Sequence, residues 1–262
     1  MPDELPLVSV IIPTCDRPHL LPIALACYRG QTYPRRELLV VDDGQIYPAD
    51  EAAVVAAGGR LLRVAPGTPL GTKLNLGAEA ARGSYCQKMD DDDWYAPCFI
   101  ETLHGAMRDD ARIVCRPAIA CLKGFLFFDL ARWELRRSLE HTVPGATLFF
   151  AREDWRARPF RAVRSDEDVW FVLDQLAQGG TVLPVVRIGL FVAVRHRGSG
   201  GRDHTWTHQG SGLLLDDHLR QQPLHKGGPE AVLPPWALAR YRAIRDRMRD
   251  GAMPAAAGTM PR

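Results

Sequence analysis

Short apolar runs alternate with helically spaced ones along the first part of the chain. Leu7-Val8-Ser9-Val10-Ile11-Ile12 is a β-branched run closed by Pro13, the pattern of a buried parallel strand. Leu20, Leu21, Ile23, Ala24, Leu25, Cys27 and Tyr28 fall on helical spacing after Pro18 and stop at Gly30. Glu37-Leu38-Leu39-Val40-Val41 predicts a second strand, ending at Asp42-Asp43-Gly44. A helix over Pro48 to Ala57 leads to a third strand, Arg60 to Ala65, and a helix over about Lys73 to Ala81 to a fourth, Tyr85 to Met89. Strand and helix in this alternation imply right-handed βαβ units, hence an α/β fold with a mostly parallel sheet flanked by helices. Ligands of such sheets gather beyond the carboxyl ends of the strands. Polar residues sit at three of those ends: Thr14-Cys15-Asp16, Asp42-Asp43 and Asp90 to Asp93.

Past residue 110 the rhythm changes. Gly124 to Asp129 and Gly145 to Ala151 read as Phe-rich strands of a smaller, mixed or antiparallel region. A helix over Val169 to Gln178 follows Ser165-Asp166-Glu167-Asp168, and strands follow at Thr181 to Val186 and Phe191 to His196. Gly198 to Gly201 marks a mobile loop, and Met253 to Arg262 a disordered tail. The expected organisation is residues 1–110 as the ligand-binding α/β half, 111–233 as the second half of the same domain, and 234–262 as a helix plus tail.

Charge and cysteine content narrow the classes. The net charge of +2 is too mild to argue for nucleic acid. The six cysteines form no C-x-x-C pair, which speaks against a zinc ribbon or a thioredoxin-type motif and for reduced thiols in a cytoplasmic protein. No basic-then-apolar leader opens the chain, and the apolar stretch Ile113 to Leu130 is interrupted by Arg116, Lys123 and Asp129, so no spanning segment is expected. The last helix is amphipathic, with Trp236, Leu238, Tyr241, Ile244 and Met248 on one side and five arginines besides. Two readings stand open for it: peripheral contact with an anionic membrane face, or packing on the domain with the arginines solvated.

The chemistry concentrates in carboxylates. Asp90-Asp91-Asp92-Asp93 at a strand end suits a hard cation such as Mn²⁺ or Mg²⁺, which takes one or two carboxylates plus substrate phosphates. A solvated acidic turn is the alternative. Asp42-Asp43-Gly44 reads as a turn or as a carboxylate for a nucleobase N–H or ribose hydroxyls. Asp166-Glu167-Asp168 reads as helix capping or as a general base. His196 reads as structural or as a metal ligand, with Arg195 and Arg197 able to steady a diphosphate. The absence of G-x-x-x-x-G-K-[ST], a post-strand G-x-G-x-x-G and G-x-S-x-G removes the common ATPase, dehydrogenase and hydrolase readings.

Five segments together resemble the family 2 glycosyltransferases of GT-A fold: Val8 to Thr14, Leu39 to Gly44, Gly71 to Gly77, Met89 to Trp94, and Asp166 to Asp168. The resemblance implies that Pro13, Thr14 and Asp42, with Asp16 and Asp43 beside them, hold the base and ribose of a nucleotide diphosphate sugar, usually of uridine. It implies that Lys73 contacts the nucleotide, that Asp90 to Asp92 form the D-x-D motif with Asp92 as direct metal ligand, and that His196 is a further ligand. Asp168 matches the proposed catalytic base. The Q-x-x-R-W motif of processive members is missing, since Arg132-Trp133 lacks the glutamine, so single-sugar transfer with inversion onto an acceptor hydroxyl is expected. The acceptor class, carbohydrate or lipid-linked, stays open. Two rivals are a nucleotidyltransferase acting on sugar phosphates, whose glycine-rich first loop is missing here, and a non-catalytic nucleotide-sugar-binding module, which needs no base.

Overall fold

The computed structural model describes residues 5–109, 118–138, 145–196 and 221–249. The loop at Arg197 to Arg202 and the tail from Met253 lie outside them. Six elements realise the βαβ rhythm: β1 (Val8–Thr14), α1 (Leu21–Arg29), β2 (Arg36–Asp42), α2 (Glu51–Ala56), β3 (Gly59–Arg63) and α3 (Leu70–Ala80), leading into β4 (Tyr85–Lys88). β1 pairs in parallel with β2 and β4, and β2 with β3. Because side chains alternate across a strand, Val8, Val10 and Ile12 enter one apolar cluster and Ile11, with Leu39 and Val41, enters the other. Both faces are therefore covered, as parallel sheets require.

The second half joins the same sheet instead of standing apart. β6 (Ala118–Leu122), β9 (Phe149–Ala151) and β10 (Thr181–Val185) extend it, giving the order β10-β6-β9-β4-β1-β2-β3. β9 runs antiparallel to both β4 and β6. A smaller sheet, β5-β11-β7-β8, is built from β5 (Trp94–Tyr95), β7 (Leu126–Asp129), β8 (Glu134–Arg137) and β11 (Phe191–Arg195). Helices α4 (Phe99–Asp109), α5 (Arg152–Ala157), α6 (Glu167–Leu176) and α7 (Pro235–Arg249) complete the described chain.

Several boundaries differ from the sequence expectation for physical reasons. Of the apolar stretch through Leu130, the described part is two buried strands, β6 and β7, and among the described residues no helix is long and apolar enough to cross a membrane. Gly145–Thr147 is a 3₁₀ turn, not strand, so β9 begins only at Phe149. Gly145 sits against Asp168: a Cβ there would fall 1.4 Å from the Asp168 carboxylate. α3 starts at Leu70, before Lys73, because Gly71 lets the helix press on the Arg161 carbonyl, 1.9 Å from where a Cβ would be. α6 starts at Glu167, two residues before the expected Val169, placing Asp168 in its first turn.

α7 packs on the domain. Ala237, Leu238, Tyr241 and Ile244 are buried, while Arg240, Arg242, Arg247 and Arg249 stay exposed. Tyr241 meets Phe128 edge-on at 5.6 Å and its hydroxyl donates to the Asp92 carbonyl at 3.1 Å. Leu238, Tyr241 and Ile244 of the expected apolar face thus enter the core, whereas Trp236 is 40% exposed and Met248 half-buried. Tyr241→Ala should lower unfolding free energy by about 3–5 kcal/mol, and Tyr241→Phe by about 1 kcal/mol for the hydrogen bond alone. Urea titration measures both, and a loss below ~1 kcal/mol for the alanine variant would mean that α7 is not docked.

Candidate active site

The carboxyl ends of the parallel strands β1, β2 and β4 lie along one edge of the sheet, and α6 and β11 reach it from the second half through Glu167 and Val194. The four aspartates after β4 are not equivalent. Asp91 and Asp93 turn inward, with side chains only 2% and 4% exposed, whereas Asp90 and Asp92 remain 32% and 13% exposed. The four lie in the bend between β4 and β5, not on a strand.

Asp91 is held by the first strand's tip. The Thr14 hydroxyl donates to its Oδ2 at 2.6 Å and Arg17 Nη1 to its Oδ1 at 2.7 Å. Asp93 accepts from the Val194 amide at 2.8 Å, which ties the cluster to β11 in the small sheet. Burial, reinforced by the charge of Asp92, pushes the Asp93 carboxyl well above the usual carboxylate range. Asp92 behaves oppositely. Burial opposes its charge, but His196, whose Nε2 lies 3.1 Å from Oδ2, and Arg17 at 3.5 Å hold it below the usual range. Arg17, which the sequence reading did not single out, is therefore the cation that stabilises two of the four carboxylates. Its position directly after the Thr14-Cys15-Asp16 tip was the available signal.

The nucleotide-side residues are placed around the first two strand tips. Pro13 and Thr14 are buried on β1. Asp42 is fully committed within the protein: the Gly44 amide donates to Oδ1 at 2.9 Å, and the Ala49 amide and Arg63 Nη1 donate to Oδ2, each at 2.8 Å. Asp43 accepts from Lys73 Nζ at 2.6 Å and from the Gly67 amide at 3.1 Å. Lys73, itself buried, also donates to the Thr14 carbonyl at 3.1 Å, so its amine bridges β1 and β2. Asp16, with φ 51°, accepts from the Ile46 and Tyr47 amides at 2.8 and 2.7 Å and fastens that loop beside the cleft. Lys73 thus joins Thr14 and Asp43 directly, while Asp42 and Asp16 hold neighbouring loop amides, contacts that the sequence could not show.

On the opposite side, Asp168 lies in the first turn of α6 and accepts from the Val169 amide at 2.8 Å. It is close enough to Lys88 and Asp90 for its charge to act on both. Lys88 Nζ is 3.0 Å from Glu167 Oε1 and 3.4 Å from Asp90 Oδ1. Desolvation would lower the Lys88 ammonium, yet the two carboxylates keep it above the usual range. Asp166 occupies the helix N-cap position at φ 60° but its side chain makes no cap bond, while Glu167 and Asp168 sit in the first turn, where acids suit the helix N-terminus.

Asp92 and His196, with Oδ2 and Nε2 3.1 Å apart, are the pair that could hold a cation. Among the described residues no three His, Cys, Asp or Glu groups form a closed metal cage. An open set suits Mn²⁺ or Mg²⁺, which complete their oxygen shell with water and substrate phosphates. Arg195 stands 3.9 Å from Asp93, partly exposed, while Arg197 lies outside the described residues.

Comparison with known proteins bears on family and fold. The family model "Glycosyl transferase family 2" matches residues 9–164, more than half of the chain. "Putative glycosyltransferase EpsH" of Bacillus subtilis (strain 168) is 29% identical over 114 residues, covering 42% of this chain and 33% of that protein. An uncharacterized glycosyltransferase of Rickettsia bellii (strain RML369-C) is 31% identical over 98 residues, 37% of this chain and 14% of that protein. The chain thus spans a third or less of the length of these relatives. Among solved structures, S. aureus TarS 1-349 in complex with UDP-GlcNAc superposes with a TM-score of 0.57 at 14% identity, over 74% of this chain and 60% of that one. That likeness fixes the GT-A architecture expected from the sequence.

The Arg17 pair yields a test independent of ligand. Arg17→Leu strands the buried Asp91 carboxylate and should cost about 1–3 kcal/mol of stability. Adding Asp91→Asn removes the stranded charge and should return part of that loss. Denaturant curves of the two variants read it out, and an equal or larger loss in the double variant would show that Arg17 stabilises through something other than Asp91.

Proposed function

The chain belongs to glycosyl transferase family 2, and from that premise we propose that it moves one sugar from a nucleotide diphosphate donor, a UDP-sugar, onto an acceptor hydroxyl with inversion. The observation that carries this reading is the cleft itself: the Asp90/Asp92 edge faces the first two strand tips on one side and Asp168 on the other. A donor lying with its diphosphate at Asp92 and its base near the β1 and β2 tips has its anomeric carbon turned toward Asp168. UDP is favoured as the nucleotide because the structurally similar TarS has been solved with UDP-GlcNAc and with UDP.

In this mechanism Asp168 accepts the proton of the acceptor hydroxyl as the new glycosidic bond forms. The acceptor oxygen attacks opposite the leaving diphosphate, which gives inversion. Asp92 and His196 would hold the divalent cation, Mn²⁺ or Mg²⁺, which when bound would supply positive charge against the departing diphosphate. Arg17 and Arg195 add fixed positive charge along the same edge. Lys73 acts one step back, keeping the β1 and β2 tips at a constant separation through Thr14 and Asp43. A nucleotidyltransferase or a binding module would have no use for Asp168 in this place.

Thermal shift with UDP and other nucleoside diphosphates, with and without Mn²⁺, tests the donor assignment, since a ligand of the folded state raises apparent stability. UDP should stabilise the protein only with the metal, and Asp92→Ala should abolish that effect. Full stabilisation of Asp92→Ala by UDP and Mn²⁺, or full activity in excess chelator, contradicts metal-assisted donor binding.

Asp168→Asn should leave UDP affinity near wild type while turnover drops roughly 10²–10⁴-fold. Gly145→Ala drives a methyl into the Asp168 carboxylate and should reduce turnover in the same direction. Steady-state rates set beside calorimetric UDP affinities separate the two effects. Turnover unchanged in Asp168→Asn moves the base to another residue.

A further inference from the structure

We propose that Lys88 is a positioning residue that ties the donor edge of the cleft to the start of α6 and so sets where Asp168 stands. The proposal rests on the reading of Asp168 as the base. Lys88 closes β4, is almost wholly buried, and reaches in two directions at once. Its amine is 3.0 Å from Glu167 on α6 and 3.4 Å from Asp90 beside Asp92. Residues 88 and 167 are 79 positions apart in sequence, so the contact joins the two halves of the cleft.

Local geometry makes this tether consequential. A helix start is ordinarily located by a side-chain cap, but Asp166 supplies none and stands at φ 60°. The first residue of α6 is instead gripped from two sides. Lys88 binds the Glu167 carboxylate, and α3 approaches so closely that a Cβ on Gly71 would come within 3.4 Å of Glu167 Cβ. Asp168 is the next residue, so fixing Glu167 fixes the rotation of the helix turn that carries it. Gly145 leaves the opposite side open for the Asp168 carboxylate.

A buried pair of this kind is poorly explained by stability alone. Replacing buried ion pairs with apolar groups of similar volume is often neutral or stabilising. A tether between donor and base is a role that an apolar residue at position 88 would not fill.

The test is a double-mutant cycle on the full chain, with UDP and Mn²⁺ as the affinity probe and UDP release from UDP-GlcNAc as the turnover probe. Lys88→Met should leave UDP affinity within about threefold and reduce turnover by up to about 10²-fold, the cost of a small misplacement of a reacting group. In the Asp168→Asn background the same substitution should cost little more, because its effect passes through Asp168. Lys88→Met strands two carboxylates and can fail to fold, so Glu167→Gln, which keeps the size of the side chain, is measured alongside and should follow the same pattern. A full additional loss in the Asp168→Asn background, or an equal loss in UDP affinity and turnover, overturns the positioning role while leaving Asp168 as base. Wild-type turnover in Asp168→Asn overturns the base assignment, and the route through it falls as well.

Discussion

Four consecutive carboxylates at one strand end repel one another, and the structure around them is organised by the need to hold them there. Each finds a different solution. Asp91 takes a hydroxyl and a guanidinium from the β1 tip. Asp92 takes His196 and part of Arg17. Asp93 accepts a backbone amide of β11 in a place where burial favours its protonated form. Asp90 shares Lys88 with Glu167. The contacts lead to the first strand tip, to the end of β11 and, through Lys88, to α6, so the cluster works as a hub from which the small sheet, α6 and the first strand tip are registered. An acidic turn open to water would need none of these partners.

The same accounting separates residues that define the cleft from residues that face into it. Asp42, Asp43 and Lys73 are engaged by backbone amides, Arg63 and one another. Their carboxylates and amine fix the loops after β1 and β2. Asp90 and Asp92, by contrast, keep open edges.

Much of the first half was legible because its signals are local. β-branched runs, helical spacing and polar strand ends all lie within a few residues, and they placed β1 to β4 to within a residue or two. The second half was legible only in part, because its determinants are contacts across the fold. Gly145 reads as an ordinary turn residue until Asp168 is seen lying on it. β6, buried on the large sheet, hid inside an apolar stretch read for its resemblance to a span. Arg17 and Lys88 carried no motif of their own, since an arginine after a turn and a lysine at a strand end are common, and their importance comes from the carboxylates they meet.

α7 shows why an amphipathic pattern underdetermines its partner. Buried apolar residues and exposed arginines satisfy a membrane surface and a protein core equally well as a pattern. The packing on the core rests on shape and hydrogen bonding at one position. Tyr241 has an aromatic body that meets Phe128 and a hydroxyl that reaches the Asp92 carbonyl. A lipid surface offers no fixed acceptor for that hydroxyl, and a buried tyrosine without one would carry the cost of an unmade bond. Arg245 covers the Trp133 ring at 4.4 Å, and Trp133 Nε1 donates to Glu230 just ahead of α7. The C-terminal helix is thereby anchored behind the aspartate cluster from which the site is built. A disturbance of its packing would be felt first at the backbone of Asp92.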